Sequence, residues 1–549
     1  MTVQPSALPL EAASERDLDA HRYALGVGAC TAAVAVFVLV QLTAWPPHED
    51  ETLALFVGRK DLGDLLSTVL NQRGGAPLHF LFAWIVAHAG GGLVGLRLVS
   101  AVFAVASVPL VAAIASRLAG RAPGLTAAAL ASASWMVLFH GVYGRMYSLF
   151  LFTSSLSYLA LVAATEHGGR RRWTLWALAT LLTIATHPYG ALVLASQVVY
   201  AAARRRHLRD AVCAFAAVAV LAIPFWRTDF VLAGRFDVGV GPGGAKLRGP
   251  LSVLRYLRAV AGDFSAGYGS IEAVVLLVAA AGAIVLWRTR REGLLLVGAV
   301  TLTPAVAMLA ARFGNSTSPE SRHLIFELPF FLTLVAAALV EAARSRLRIA
   351  PVLVAVALAG LLGTEVAWGR HKTPNLYSRE PSARVAAREA ASDWLARTSA
   401  PNDVLFGYDP LYLGAWERDR AFSATTVPRA DAKLALRALQ SAPKPLGRGV
   451  WVFDASDTNN FVRQMHIKLR YPAPAANYEA RVFGPFLVIR SSRPTLTARG
   501  FLAQTEAVMQ VGKDLYIGDA DINMHTAMVA LGNLPQESPS RSSFSTSSR

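Results

Sequence analysis

Cysteine is nearly missing from this chain. Only Cys30 and Cys213 occur in 549 residues, and both lie inside apolar runs. That excludes a disulfide framework and any cysteine-based zinc spacing, and each thiol reads as a small apolar side chain. Charge is sparse as well. Asp, Glu, Lys and Arg together make 16% of the residues, where soluble globular chains carry about 25%. Acid is the scarcer sign, 36 residues against 53 basic ones, which leaves a formal net charge of +17. Such a surplus suits nucleic acid only if it forms a patch or stripe. Here it is broken into short clusters in the gaps between apolar runs, so tracking along a nucleic acid is excluded. Solenoid-type repeats are also missing. No cleavable signal stands out, because the first apolar run follows a polar stretch of about 20 residues and is long enough to remain as an anchor.

What the chain has instead is apolar length. Hydrophobic residues make up 54% of it, and a bilayer core about 30 Å thick is crossed by about 20 mostly apolar residues. Residues 1–22 are polar and expected to be cytoplasmic. Spans are predicted near 23–44, 93–116, 122–141, 147–164, 173–187, 189–203, 211–226, 271–287, 293–311, 323–343 and 349–368, about eleven in all. The apolar piece 76–89 is short for a span and is read as an interfacial helix. Charge decides that choice. With 76–89 interfacial, the clusters Arg117 and Arg121, Arg170–Arg172, Arg204–Arg206, Arg288–Arg291 and Arg344–Arg348 all fall on the cytoplasmic side, as the positive-inside rule asks. The loop 45–75, the turns 141–147 and 187–189, the loops 227–270 and 312–322 and everything after about Gly369 then share the outer side.

Residues 370–500 are a different material. Short apolar stretches, Val404 to Gly407, Val450 to Phe453 and Val482 to Ile489, alternate with Asp, Pro and Gly turns and a helical segment, Ala383 to Thr398. That pattern predicts a small soluble α/β domain. The expected fold is thus a polytopic α-helical membrane protein of about eleven transmembrane helices, with interfacial helices in its first outer loop and a C-terminal α/β domain. Its divisions are a cytoplasmic segment 1–22, a transmembrane domain 23–369, an extracytoplasmic domain 370–500 and a partly disordered tail 501–549, rich in serine from Gln536.

Ionisable and aromatic residues gather at the outer ends of the spans. Asp50 and Glu51 follow the first, and Arg97 begins the second. Tyr143, Arg145 and Tyr147 lie between the third and fourth, His187 ends the fifth, and Arg312, Arg322 and His323 bracket the last outer loop before residue 323. Singly, each is explained as well by an anchor whose apolar stem lies in lipid. Together they bring acid, cation and imidazole to one face, a mix that suits holding an anion and taking a proton. Asp50 and Glu51 are adjacent and so point different ways; one is expected to face the site as a general base, the other to support it. His48, Glu49, Asp50 and Glu51 are also a candidate set for a divalent cation, although their spacing matches no specific metal motif. Gly239, Gly241 and Gly244 spell G-x-G-x-x-G, but without a preceding strand and a following helix the run reads as a flexible loop.

Several motifs recur in a definite order. Asp50-Glu51 follows the first span, and Asp61-Leu62-Gly63-Asp64-Leu65-Leu66 lies in the loop. Ala76-Pro77-Leu78-His79-Phe80 opens the interfacial helix, and Leu96-Arg97-Leu98-Val99-Ser100 starts a span that ends near Arg117-Leu118-Ala119-Gly120. Gly144-Arg145-Met146-Tyr147-Ser148-Leu149, Thr186-His187-Pro188-Tyr189 and Arg322-His323-Leu324 come after. Over roughly residues 25–370 this order resembles the C-type (GT-C) polyprenyl-phosphate-dependent glycosyltransferases. It is most similar to the family 39-like members related to protein O-mannosyltransferases and aminoarabinose transferases. The chain departs from the pattern at Tyr143, where relatives often carry an acid, and at Ala76-Pro77, where many have a double proline.

The resemblance implies a lipid-linked sugar donor presented at the outer leaflet of the inner (plasma) membrane, and a lipid, glycan or protein acceptor whose hydroxyl attacks the anomeric carbon with inversion. It implies Asp50 as base, Glu51 second, with Arg145, Tyr147, His187, Arg322, His323 and Arg97 around the donor phosphate and sugar. No cofactor is required beyond the candidate divalent cation. Two rival classes stay open. One is a lipid or sugar transporter or flippase, which would place ionisable groups near the midplane. The other is a catalytically inactive GT-C-like assembly partner, which Tyr143 keeps in play.

Overall fold

Apolar helices dominate the computed structural model, which describes residues 10–236, 249–310, 320–378, 380–428, 432–454 and 478–513. The chain forms two compact units. One comprises Met1–Ala44, Arg97–Ile223 and Lys246–Ser378; the other comprises Trp45–Leu96, Pro224–Ala245 and Arg379–Arg549.

Each of the eleven predicted spans is helical. Among the described residues seven helices are long and apolar enough to cross a bilayer: Ala20–Gln41, Leu93–Ala119, Tyr147–His167, Gly269–Thr289, Arg291–Ala310, Ser321–Ala343 and Ala350–Lys372. Two broken pairs, Arg121–Ala133 with Trp135–Val142 and Leu208–Leu221 with Ile223–Leu232, raise the number to nine. The two remaining expected spans form the helices Arg170–Thr186 and Gly190–Arg204, of 17 and 15 residues. The first helix starts at Leu10, so much of the polar opening segment is helical too.

The surface of the helical unit is what hydrocarbon asks for. Val36, Leu277 and Val352 are each more than 60% exposed, and Val274, Ile284, Leu353 and Val356 stand out beside them. Large apolar side chains exposed in this number mark a lipid or partner contact. Helices meet that demand because each closes its own backbone hydrogen bonds. Inside, small residues and polar contacts hold the bundle. At Gly282 an added Cβ would lie 1.9 Å from the Leu334 carbonyl oxygen, so two spans touch there through backbone. Gln197 joins three helices: it accepts from Trp176 Nε1 at 3.0 Å and donates to Ser157 Oγ at 2.8 Å, while Tyr158 bonds Ser196 at 2.7 Å.

Ion pairs bring basic helix ends of this unit together: Arg117 pairs with Glu166, and Arg204 and Arg206 with Glu292. The turns at 143–147, 187–189 and 320–323 belong to the opposite end. The segment 227–270, expected as an outer loop, contains the helix Gly249–Phe264 and the end of Ile223–Phe236.

The second unit holds a five-stranded sheet: β1 (Val404–Gly407), β2 (Thr425–Val427), β3 (Gly449–Asp454), β4 (Tyr478–Phe483) and β5 (Phe486–Ser491), in the order β2-β1-β3-β5-β4. β1 runs parallel to β2 and β3, and β5 pairs antiparallel with β3 and β4. The predicted strand Val482 to Ile489 is in fact a hairpin, turned at Gly484 with φ +54°. Trp451, fully buried, stacks on Phe501 at 5.6 Å, and its indole donates to Thr505 at 2.9 Å. Phe501 and Thr505 belong to the helix Ala498–Lys513, which crosses the expected domain end at residue 500.

The segment 45–92, expected as the first outer loop, belongs to this unit and is mostly helical: Glu49–Gly58, Leu62–Thr68 and Pro77–His88. The Leu93 amide donates to Glu417 Oε1 at 2.8 Å and Arg420 donates to the Gly90 carbonyl at 2.8 Å, which ties the loop's end to the α/β domain. The glycine run at 239–244, Arg312 and the serine-rich tail lie outside the described residues.

Candidate functional site

In the helical unit, three turns at the end away from the basic clusters bring imidazole, guanidinium and phenol groups together. Tyr147 opens the helix Tyr147–His167 and is 2% exposed. The turn before it is held by Ser100 Oγ, which donates to the Arg145 carbonyl at 3.1 Å. His187 ends one helix and Gly190 begins the next, with Pro188 and Tyr189 between them. Arg322 and His323 sit on the short 3-10 turn Ser321–Glu327.

The distances define a cluster. Arg322 lies over the Tyr147 ring at 5.0 Å and pairs with Glu320 at 2.7 Å. The Tyr147 ring is 5.7 Å from His187 and 6.0 Å from His323, and the two imidazoles are 5.2 Å apart. Phe150 stacks on His187 at 4.8 Å. The residues Tyr147, His187, Arg322 and His323 named from sequence thus converge, and Arg145 and Arg322 both act electrostatically on His187. Burial, then these two guanidinium groups, push His187 down to about 3, so its imidazole is neutral at physiological pH.

The backbone also sets the tautomers. The Tyr189 amide donates to His187 Nδ1 at 3.1 Å, and the Glu320 amide donates to His323 Nδ1 at 3.0 Å. A neutral ring whose Nδ1 accepts carries its proton on Nε2. Both histidines therefore turn an N–H donor away from the backbone. Two cations and two neutral donors in a buried setting suit an anion with several oxygens.

Three neighbours were not among the sequence-named site residues. Tyr189 stacks on His323 at 5.2 Å, His140 lies 4.8 Å from the Tyr147 ring, and the Tyr256 hydroxyl donates to the Glu320 carbonyl at 3.1 Å. Tyr189 stood in a quoted motif, and a lone histidine in an apolar span is itself a signal. Tyr256 carried none. Tyr143, in the place of the family acid, is buried against Phe139 at 5.3 Å. Arg97 is buried and donates to the Leu42 carbonyl at 2.9 Å, a bond that fastens the end of the first span.

The acidic pair lies in the second unit, on the first turn of Glu49–Gly58. His48 is the N-cap: its Nδ1 accepts from the Asp50 amide at 3.2 Å, and its own amide donates to Glu51 Oε2 at 2.9 Å. This is a reciprocal capping box. Glu51 is fully buried in that role, whereas Asp50 is only partly buried. His48 and Glu51 face each other across the cap, and among the described residues no group of three or more His, Cys, Asp and Glu side chains is arranged to hold a metal ion.

No protein-family profile and no curated protein sequence matches the chain. Solved structures do. ArnT from Cupriavidus metallidurans in its apo state is similar with a TM-score of 0.53 at 14% identity, over 85% of this chain and 98% of that one. The same protein bound to undecaprenyl phosphate gives 0.53 at 15% identity, over 84% and 97%. The chain has a GT-C-like fold, that of a polytopic membrane protein with a small C-terminal sheet region.

Proposed function

We propose that the protein is a membrane glycosyltransferase that moves a sugar from a polyprenyl-phosphate donor to an acceptor hydroxyl with inversion. The observation that carries this reading is the buried cluster of Arg145, Arg322, His187 and His323, whose cations and N–H donors suit an anion. The fold supports it, since the similar ArnT was solved with undecaprenyl phosphate. The sugar and acceptor are left as classes: a hexose or pentose, and a lipid, glycan or protein hydroxyl.

In this reading the acceptor oxygen bonds to the anomeric carbon as the bond to the phosphate oxygen breaks. The electron pair leaves with the phosphate, and the acceptor proton goes to Asp50. Arg145 and Arg322 meet the growing phosphate charge and the Nε2–H groups of His187 and His323 donate to its oxygens, which is usually the largest catalytic contribution. The phosphate is a good leaving group, so no general acid is invoked. Asp50 is preferred to Glu51 because Glu51 is engaged in the helix cap. The basic ends of the bundle support an orientation with those ends cytoplasmic and the α/β domain extracytoplasmic, in the plasma membrane.

The test uses the purified full chain with polyprenyl-phosphate sugars and endogenous acceptors. Asp50→Asn is expected to lose transfer by at least about 100-fold, the scale of a lost general base, with donor binding retained. Glu51→Gln keeps an oxygen for the His48 amide and is expected to stay active. Full activity in Asp50→Asn removes Asp50 as base. Donor binding without any transfer in the wild type favours instead an inactive assembly partner, the reading that Tyr143 supports.

A further inference from the structure

The mechanism above gives no task to Asp263, a buried acid of the helical unit. It lies near the end of the helix Gly249–Phe264, and its side chain is only 5% exposed. One of its oxygens accepts from the Ser321 hydroxyl, and the other pairs with Lys372 Nζ at 3.0 Å. Ser321 is the first residue of the short turn that carries Arg322 and His323. Tyr256 stands about two turns before Asp263 and so on the same helix face. Its hydroxyl donates to the Glu320 carbonyl at 3.1 Å. One helix face thus grips the two residues that come immediately before Arg322.

The turn needs such a grip. A 3-10 turn has poorer hydrogen-bond geometry than an α-helix, and at Leu324 the backbone leaves helical values, with φ −98° and ψ 17°. Two of its polar contacts are internal: Arg322 pairs with Glu320, and the Glu320 amide donates to His323 Nδ1. These shape the turn, whereas the bonds to Tyr256 and Asp263 place it against another helix. Lys372 anchors the other side of Asp263. It ends the helix Ala350–Lys372, and its ammonium lies over the rings of Trp135 at 5.4 Å and Trp368 at 5.3 Å, a cation–π arrangement. Trp135 donates its indole N–H to Thr373 Oγ1 at 3.1 Å and opens the helix that carries His140. A buried ion pair adds little net stability over apolar residues of similar volume. What this one adds is a fixed place for the groups bonded to it.

We propose that Asp263 is a positioning residue: through Ser321 and Lys372 it holds the turn so that Arg322 and His323 meet the donor phosphate together. The identity of that anion rests on the glycosyltransferase reading above; the clamp rests on the hydrogen bonds of the chain. Asp263 acts on the phosphate only through the turn.

Two measurements on the detergent-solubilised full chain test this: hydrogen exchange at the amides of residues 322–327 without added lipid, and affinity for undecaprenyl phosphate. Ser321→Ala and Asp263→Asn are expected to speed the exchange and to weaken binding about 10-fold, the scale of one charge-assisted hydrogen bond put out of line. Ser321→Thr keeps the hydroxyl and is expected to retain slow exchange and affinity. Arg255→Gln, exposed on the same helix, should change neither. If Asp263→Asn does not fold, Ser321→Ala decides, because it removes one hydroxyl and leaves the Asp263–Lys372 pair. A merely structural tie would lower the Tm with affinity unchanged, and that result overturns the positioning role. Unchanged exchange in both variants overturns it as well. Faster exchange in both variants, with a wild type that does not bind undecaprenyl phosphate, keeps the clamp and removes the donor reading instead.

Discussion

His187 shows how a residue's surroundings decide its chemistry. Buried beside two arginines, it takes up a proton only below the range in which a free histidine titrates. The unfolded chain takes up that proton near pH 6.5, while the folded chain does so only near pH 3. Between these values the unfolded state holds more protons, so this group's contribution to stability is complete above about pH 6.5 and is lost as pH falls toward 3. His187→Gln is expected to flatten the acid limb of stability against pH, measured by thermal melts in detergent across that window. An unchanged acid limb would show that the imidazole titrates normally. The same scale sets the limit of legibility at the acidic pair. Asp50 and Glu51 are equally visible as letters. Only the cap geometry shows Glu51 buried against the His48 amide, because histidine is not a usual N-cap and the box it forms is not announced by residue type.

At the scale of the element, apolar length located the helices because hydrocarbon leaves the backbone no other partner, but of the eleven expected spans seven, or nine with the two bent pairs, are long and apolar enough to cross among the described residues. What length could not show are the breaks. Ser134 separates Arg121–Ala133 from Trp135–Val142 by a bend of 53°, and Ser321–Glu327 is a 3-10 turn that carries Arg322 and His323 into the cluster. Neither has a compositional cue. Helix contact is also decided here. Gly282→Val would drive a side chain into the Leu334 backbone; overpacking of this kind costs about 1–3 kcal/mol or more. A lowered Tm is the expected outcome, whereas Gly298→Val, where a Cβ meets nothing within 4 Å, should leave the melt nearly unchanged. In the α/β domain, short apolar runs located the strands, but the sheet order β2-β1-β3-β5-β4 depends on pairings between distant segments that no local pattern encodes.

For the whole molecule, the orientation is the claim with the widest consequence. In a background with Cys30 and Cys213 replaced, Ser441→Cys in the α/β domain is expected to react with a membrane-impermeant maleimide in intact cells. Ser345→Cys, exposed at the basic end, should react only after permeabilisation. The reverse pattern would invert the topology and with it the outer-face reading of the His187 cluster. Much of this frame was legible from residues alone. Apolar runs of bilayer length and the grouping of arginines in alternate gaps determine a multi-pass bundle with one basic end, since both follow from solvation energies that act on local segments. The gathering of Arg145, Tyr147, His187, Arg322 and His323 was foreseeable for the same reason, because alternate turns must share a face. Tertiary structure decided the rest. It chose which nitrogen of each histidine keeps the proton, enclosed Tyr189 and His140 in the cluster and withdrew Glu51 into a cap. Each of these depends on packing between segments far apart in the chain, where a few ångströms of backbone placement, and not residue type, settle which groups meet.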